Sequence, residues 1–331
     1  MRILYGVCGE GFGHSSRAKE IISYLKSRNH KVLILTYGQA YQILKPLTET
    51  IKVYGIHLSF SKNKLSLSKT IASNTNVLVK NLANFKELKS KINSFKPQLC
   101  ITDMEPFVPI ISHWHKIPLI SIDNQHRLTH LNLKIPKEYK KDYIIAKLAI
   151  NACVSKAHAF IILSFIKQKS KSKNSFIVAP LLRREIIKIK PKIKDYLLVY
   201  LTKPNPSLLD TLKTISEKFI IYGYDFAKKD KNLEFKRQNK NNSNFLKDLS
   251  ECKAVIATAG FTLISESLYL KKPYLAIPLQ GQFEQTLNAL FLKNSGLGTY
   301  SETPTKIQIQ NFLNNLKKYK TKLKTHKINP E

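Results

Sequence analysis

Short apolar runs alternate with longer amphipathic ones along the first half of the chain. Arg2–Cys8 (RILYGVC), Lys31–Tyr37, Ile51–Ile56, Gln98–Met104, Pro118–Asp123 and Ala159–Phe165 predict strands. Most of them are apolar throughout. A sheet with one wet face has no use for that pattern, whereas a parallel sheet covered by helices on both faces requires it. Between the strands, His14–Ser27, Gln39–Leu47, Leu67–Phe95 and Pro106–His115 predict helices. The expected class is therefore α/β.

The alternation pauses at Lys167–Ser175 (KQKSKSKNS), a basic connector without apolar periodicity, and then resumes. Asp195–Thr202, Glu217–Tyr224, Asn232–Gln238, Ala254–Gly260 and Pro273–Leu279 predict a second set of strands. Ser207–Lys218, Ser243–Glu251, Thr262–Leu270 and Gln282–Asn294 predict their helices. With 331 residues, two cores are the expectation. The boundaries suggested are 1–180, 181–303 and a Lys-rich helical region at 304–331 that could cross back to the first domain.

Composition narrows the function classes. The chain is 43% hydrophobic and 10% aromatic, enough for well-filled cores. Cys8, Cys100, Cys153 and Cys252 are widely spaced, which argues against a zinc site or a disulfide framework and suits a reducing cytoplasm. Met1-Arg2 runs straight into a short strand, unlike a signal peptide, and no window reaches transmembrane length. The formal net charge of +33 is spread over the whole length among many Asn and Ile residues, as a codon bias toward Lys would produce. It would equally draw the protein to the inner face of an anionic membrane. No RNA- or DNA-binding signature accompanies it, so no nucleic-acid partner is expected.

The second half carries the strongest chemical pattern. In ATAGFTLISES, a strand ends at Ala259-Gly260 and a helix begins at once, so free backbone N–H groups there suit a diphosphate. Thr262 adds a hydroxyl, and Glu266 could accept hydrogen bonds from two ribose hydroxyls. Taken singly, Gly260 reads as a turn glycine and Glu266 as a solvated helix position. After the next strand, Glu284, Gln285 and Asn288 open a further helix. Asn205 and Ser207, at another helix start, could touch the diphosphate or simply set a turn.

The first half supplies a complementary rim. GEGFGHSSRA places Gly9, Gly11 and Gly13 before His14 and Arg17. No Lys-Ser/Thr follows the last glycine, so this is not a P-loop, and the second strand ends without the acidic residue of a dinucleotide site. A helix start disfavours imidazolium, so His14 could accept a proton. ITDMEP ends a strand with Asp103 and Glu105, and SIDNQHR ends the next with Asp123, Asn124, His126 and Arg127. Ligands of open α/β sheets bind beyond the carboxyl ends of strands. His14, Asp103 and Asp123 are thus the candidates for a general base, and Gly11, Gly13, Arg17, Glu105, Asn124 and His126 for its surroundings. Each acidic residue could instead cap a helix.

Residues 254–298 resemble the nucleotide-sugar signature of GT-B glycosyltransferases, in particular the peptidoglycan N-acetylglucosaminyltransferase group. The N-terminal loop resembles that group's GxGxGHxxR segment, close to an archaeal and bacterial glycosyltransferase-like subgroup. The resemblance implies two facing Rossmann-like domains with a cleft between them. It implies Gly260 at the diphosphate, Glu266 at the ribose, Gln285 at the sugar with Asn288 completing the motif, and the segment of Phe245 and Leu249 at uracil. Ala259 stands where relatives carry Gly or Ser, and Glu284 where some carry Asp or Arg, which leaves the sugar open. The activity implied is inverting, metal-independent transfer from a UDP-sugar to a glycan or lipid-linked acceptor, with no cofactor. A UDP-sugar 2-epimerase or a non-catalytic sugar-nucleotide binder are the alternatives.

Overall fold

The computed structural model describes residues 1–55, 60–61, 64–65, 85–239 and 242–329. It divides into two compact units, Met1–Arg183 and Arg184–Glu331. Of the expected helix Leu67–Phe95, only its last part, Phe85–Phe95, is a described helix; the rest lies outside the described residues.

Besides a two-residue antiparallel pair, Phe60–Ser61 with Lys64–Leu65, the strands of the first unit are β1 (Arg2–Val7), β2 (Lys31–Thr36), β3 (Thr50–Lys52), β4 (Leu99–Asp103), β5 (Leu119–Asp123), β6 (Ala159–Leu163) and β7 (Ser175–Val178). They form one sheet in the order β3-β2-β1-β4-β5-β6-β7, every pair parallel. Side chains alternate between its faces. Leu4 joins Leu33, Leu35, Cys100, Val108 and Ile111 on one face, while Ile3, Tyr5 and Val7 join Ala18, Ile22 and Ile34 on the other. Burial on both faces is why these strands carry no polar alternation.

The first unit's helices include α1 (Phe12–Ser27), α2 (Gly38–Leu44), α3 (Phe107–Trp114), α4 (Arg127–His130) and α5 (Lys140–Cys153). The last has no counterpart in the pattern reading. Ile144 and Leu148 are exposed while Ile150 is buried, so its apolar residues never line up as one stripe. The basic stretch Lys167–Ser175 leads from β6 to β7 inside the first sheet.

In the second unit, β8 (Leu197–Tyr200), β9 (Phe219–Tyr222), β10 (Lys228–Asp230), β11 (Leu233–Phe235), β12 (Ala254–Thr258), β13 (Tyr274–Ile277) and β14 (Gly298–Tyr300) form a sheet in the order β10-β11-β9-β8-β12-β13-β14. Only the β10–β11 pair is antiparallel. The helices that matter for the site are α6 (Pro206–Lys213), α7 (Ser243–Glu251), α8 (Phe261–Tyr269) and α9 (Phe283–Asn294). The C-terminal stretch folds as α10 (Lys306–Asn314) and α11 (Leu316–Thr325) and belongs to the second unit, where Ile309 and Phe312 enter the core. Among the described residues, no helix is long and apolar enough to cross a membrane.

Candidate active site and nucleotide-sugar site

Each sheet reverses its winding once. In the first unit the chain leaves β1 toward β2 and later returns to its other side as β4. The loops that follow β1 and β4 therefore diverge at the strands' carboxyl ends, where open α/β sheets bind their ligands. Where β1 ends, the Cys8 N–H donates to the Asp103 carbonyl at 2.9 Å. Gly9 is required there by packing, because a Cβ would lie 2.3 Å from the Tyr37 carbonyl oxygen. Gly11, at φ 81°, takes the left-handed bend that starts α1. Gly13 falls in the first turn of the helix, directly before His14.

His14 and Asp103 meet at this switch point. The imidazole Nδ1 lies 2.7 Å from Asp103 Oδ1, and the side chains are 13% and 0% exposed. Nδ1 also lies 2.8 Å from Arg17 Nη2; an ionised carboxylate can only accept, so the Asp103 contact calls for the hydrogen on Nδ1 and leaves the lone pair on Nε2. Arg17, one turn further along α1, donates Nε to Asp103 Oδ2 at 2.5 Å and Nη2 to Oδ1 at 2.6 Å. Its Nη1 donates to Asn124 Oδ1 at 3.0 Å. Burial alone would raise the Asp103 carboxyl. The Arg17 charge and the His14 contact override it and hold the group below the usual carboxylate range. Asp103 thus stays charged and orients His14; with its oxygens already engaged, it is not itself a base toward solvent.

Asp123 is not available as a base either. It is buried and accepts from the Ser121 hydroxyl at 2.7 Å, the His126 backbone N–H at 2.8 Å and His126 Nδ1 at 2.6 Å. Burial opposes its charge, yet His126 outweighs it and keeps the carboxyl well below its ordinary value. The ring of His126 is pushed down by burial and up by Asp123, with a net rise, and its Nε2 faces the Val154 carbonyl. The pair fixes the turn after β5 rather than facing a substrate. Glu105 is likewise internal. It accepts from the N–H groups of Phe107 and Val108, capping α3, and burial pushes its carboxyl up to about 7.

The pattern reading missed Gln125. Its Nε2 lies 3.4 Å from His14 Nε2, and its Oε1 accepts the Asn124 N–H at 3.2 Å. The only signal in the sequence was its place between Asn124 and His126 at a strand end.

The second sheet reverses at β8 and β12. The hydroxyls of Thr202 and Thr258 meet there at 2.8 Å, just below the Gly260 turn. Gly260 caps α8 with φ −69° and ψ 133°, and a Cβ on it would touch nothing within 4 Å. Thr262 follows, half-buried, in the first turn of α8. Asn288 is buried and donates from Nδ2 to the Ala259 carbonyl at 2.9 Å, so it shapes the turn from behind. Gln285 and Glu284 are half-buried at the start of α9. Gln285 Oε1 accepts the Leu279 N–H and its Nε2 donates to Gln282 Oε1.

Glu266 is 1% exposed, packed on the inner face of α8 rather than on a solvated one. Phe245 and Leu249 are core residues. They lie four apart on the buried face of α7, and Phe245 packs against the rings of Tyr222 and Tyr200. Their side chains are spent on packing, which leaves the backbone of this segment as the part able to meet a base. Asn205 is the N-cap of α6, accepting the Leu208 N–H at 3.1 Å, and Ser207 is exposed beside it.

Two doubly wound sheets, each with one switch point, describe a known architecture, and the comparisons agree. The profile of glycosyl transferase family 1 matches residues 1–317. The chain belongs to that family. A relative from Methanosarcina acetivorans, described as an uncharacterized glycosyltransferase, is 23% identical over 335 residues, covering 92% of this chain and 87% of its own. Among solved structures, the glycosyltransferase of kitacinnamycin superposes with a TM-score of 0.69 at 13% identity, covering 98% of this chain and 92% of that one. Phytolacca americana UGT2, solved with UDP-2-fluoro-glucose and pterostilbene, gives 0.67 at 13% identity, with 98% and 93% covered. This family 1 protein is therefore a glycosyltransferase enzyme with the GT-B fold.

Proposed function

We propose that this glycosyltransferase moves a sugar from UDP to an acceptor hydroxyl in one displacement that inverts the anomeric carbon. The supporting observation is the His14–Asp103 contact, which leaves an imidazole lone pair on Nε2 at the first unit's switch point. The acceptor oxygen forms its bond to the anomeric carbon as the bond to the diphosphate oxygen breaks. Its proton passes to His14 Nε2, and UDP leaves with the electron pair. Asp103 steadies the imidazolium that results without taking its proton.

In this reading the donor lies on the second unit. The N–H groups that open α8 behind Gly260 meet the diphosphate, and Glu266 and Gln285 meet the ribose and the sugar. Charge on the leaving group is met by these N–H groups, without a metal. The acceptor is a glycan or lipid-linked hydroxyl, reached from the cytoplasmic face of an anionic membrane, as the net charge of +33 favours. A panel of UDP-sugars assayed for UDP release, with the product's anomeric configuration read by NMR, tests the proposal. Inverted product supports it. Retained configuration, an epimerised UDP-sugar, or UDP binding without turnover would each reject it.

A further inference from the structure

Resting on the reading of His14 as the base, we infer that Gln125 is the residue that positions the acceptor hydroxyl. His14 has two ring nitrogens, and Asp103 and Arg17 engage the first, Nδ1. The other, Nε2, faces the carboxamide nitrogen of Gln125 at 3.4 Å, the long end of a hydrogen bond. That carboxamide has a defined orientation, because its oxygen accepts the Asn124 N–H. Its N–H therefore points toward the lone pair that is to receive the proton.

The backbone around Gln125 is held on every side. Asn124 is tied through its side chain to Arg17 and through its carbonyl to Arg127 Nε at 2.7 Å. His126 is tied to Asp123 by its backbone and its ring. The Gln125 carbonyl itself accepts the Leu128 N–H at 2.9 Å. The arrangement presents one amide donor at a fixed point beside the base.

A hydroxyl that enters between the two groups gains both partners it needs. It donates its hydrogen to His14 Nε2 and accepts the Gln125 N–H on its oxygen, which leaves a lone pair free for the anomeric carbon. Gln125 makes no bond to the reacting carbon and moves no proton. It acts on the acceptor's position alone, so its removal should separate acceptor binding from donor binding.

The test compares wild type with Gln125→Met, which keeps length and volume but loses the N–H, and Gln125→Ala. Initial rates are measured with the UDP-sugar panel and a set of soluble alkyl glycosides as acceptors. In parallel, the ¹⁵N resonances of His14 are recorded for all three proteins without substrates. The expected result is an acceptor KM raised about tenfold in both variants, with the donor KM within about twofold. The His14 Nε2 resonance should shift in both while the Nδ1 resonance stays. An unchanged acceptor KM, or full rescue by Met relative to Ala, overturns the inference while leaving the base assignment standing. If wild type transfers to no acceptor although His14 Nε2 responds to the substitutions, the reading of the reaction fails and the inference falls with it.

Discussion

The guanidinium of Arg17 takes both carboxylate oxygens of Asp103, Nε on Oδ2 and Nη2 on Oδ1, with the two side chains 5% and 0% exposed. Neither charge is well solvated, so each depends on the other. Removing one partner of such a pair leaves an isolated buried charge, at a cost of about 3–5 kcal/mol. Asp103→Asn should therefore lower the urea midpoint markedly and cut transfer by a factor on the order of 10³ or more, since the amide no longer fixes the His14 tautomer. Arg17→Lys should retain more stability than Arg17→Met, because it keeps the charge but loses the fork.

His14 stands differently. It is partly exposed, and its removal strands no full charge. His14→Ala should lower transfer by a factor on the order of 10² to 10⁴, with the melting temperature and UDP affinity close to wild type. A large loss of UDP binding in this variant would show that His14 belongs to the donor site.

Glu105 makes stability depend on pH. Its folded value is about 7 against an ordinary value of 4.5, so the folded protein holds a proton that the unfolded chain has released between those limits. Its contribution is present below about 4.5 and is lost as pH rises through 7, which amounts to about 3 kcal/mol at most. Urea titrations at pH 5 and pH 8 should show wild type losing more stability across that interval than Glu105→Gln. An equal loss in both would place the pH dependence elsewhere.

Asn288→Ala should destabilise the second unit by about 1–3 kcal/mol, because the Ala259 carbonyl would be left without its partner inside the protein. Calorimetric titration with UDP should show a weaker site as the Gly260 turn loosens. Undiminished UDP affinity would separate this turn from the donor.

The sheets were legible because strands buried on both faces leave uninterrupted apolar runs, as in Lys31–Tyr37 and Ala254–Gly260. The helix Lys140–Cys153 was not, since two of its apolar residues, Ile144 and Leu148, face outward. At the site, strand-end placement was enough to bring His14 toward Asp103. Strand-end placement favoured Asp103 with His14 over Asp123 without showing what each acid binds. Asp103, Glu105 and Asp123 all end strands or open helices, and only their partners distinguish them: Arg17 and His14 for the first, two backbone N–H groups for the second, His126 and Ser121 for the third. Phe245 and Leu249 turn their side chains into the core, and spacing of four marks the inner face of a helix whatever lies beyond it.

Gly260 separates two pressures that usually act together on a glycine. Its backbone angles suit any residue, and a methyl group there would meet no protein atom within 4 Å. Folding therefore exerts no demand for glycine at this position, in contrast to Gly9, where the Tyr37 carbonyl forbids a side chain. A Gly260→Ala protein would be expected to fold as well as the parent, and any intolerance it showed would measure the room a ligand occupies. At such a position a ligand, and not the fold, would be what selects the residue.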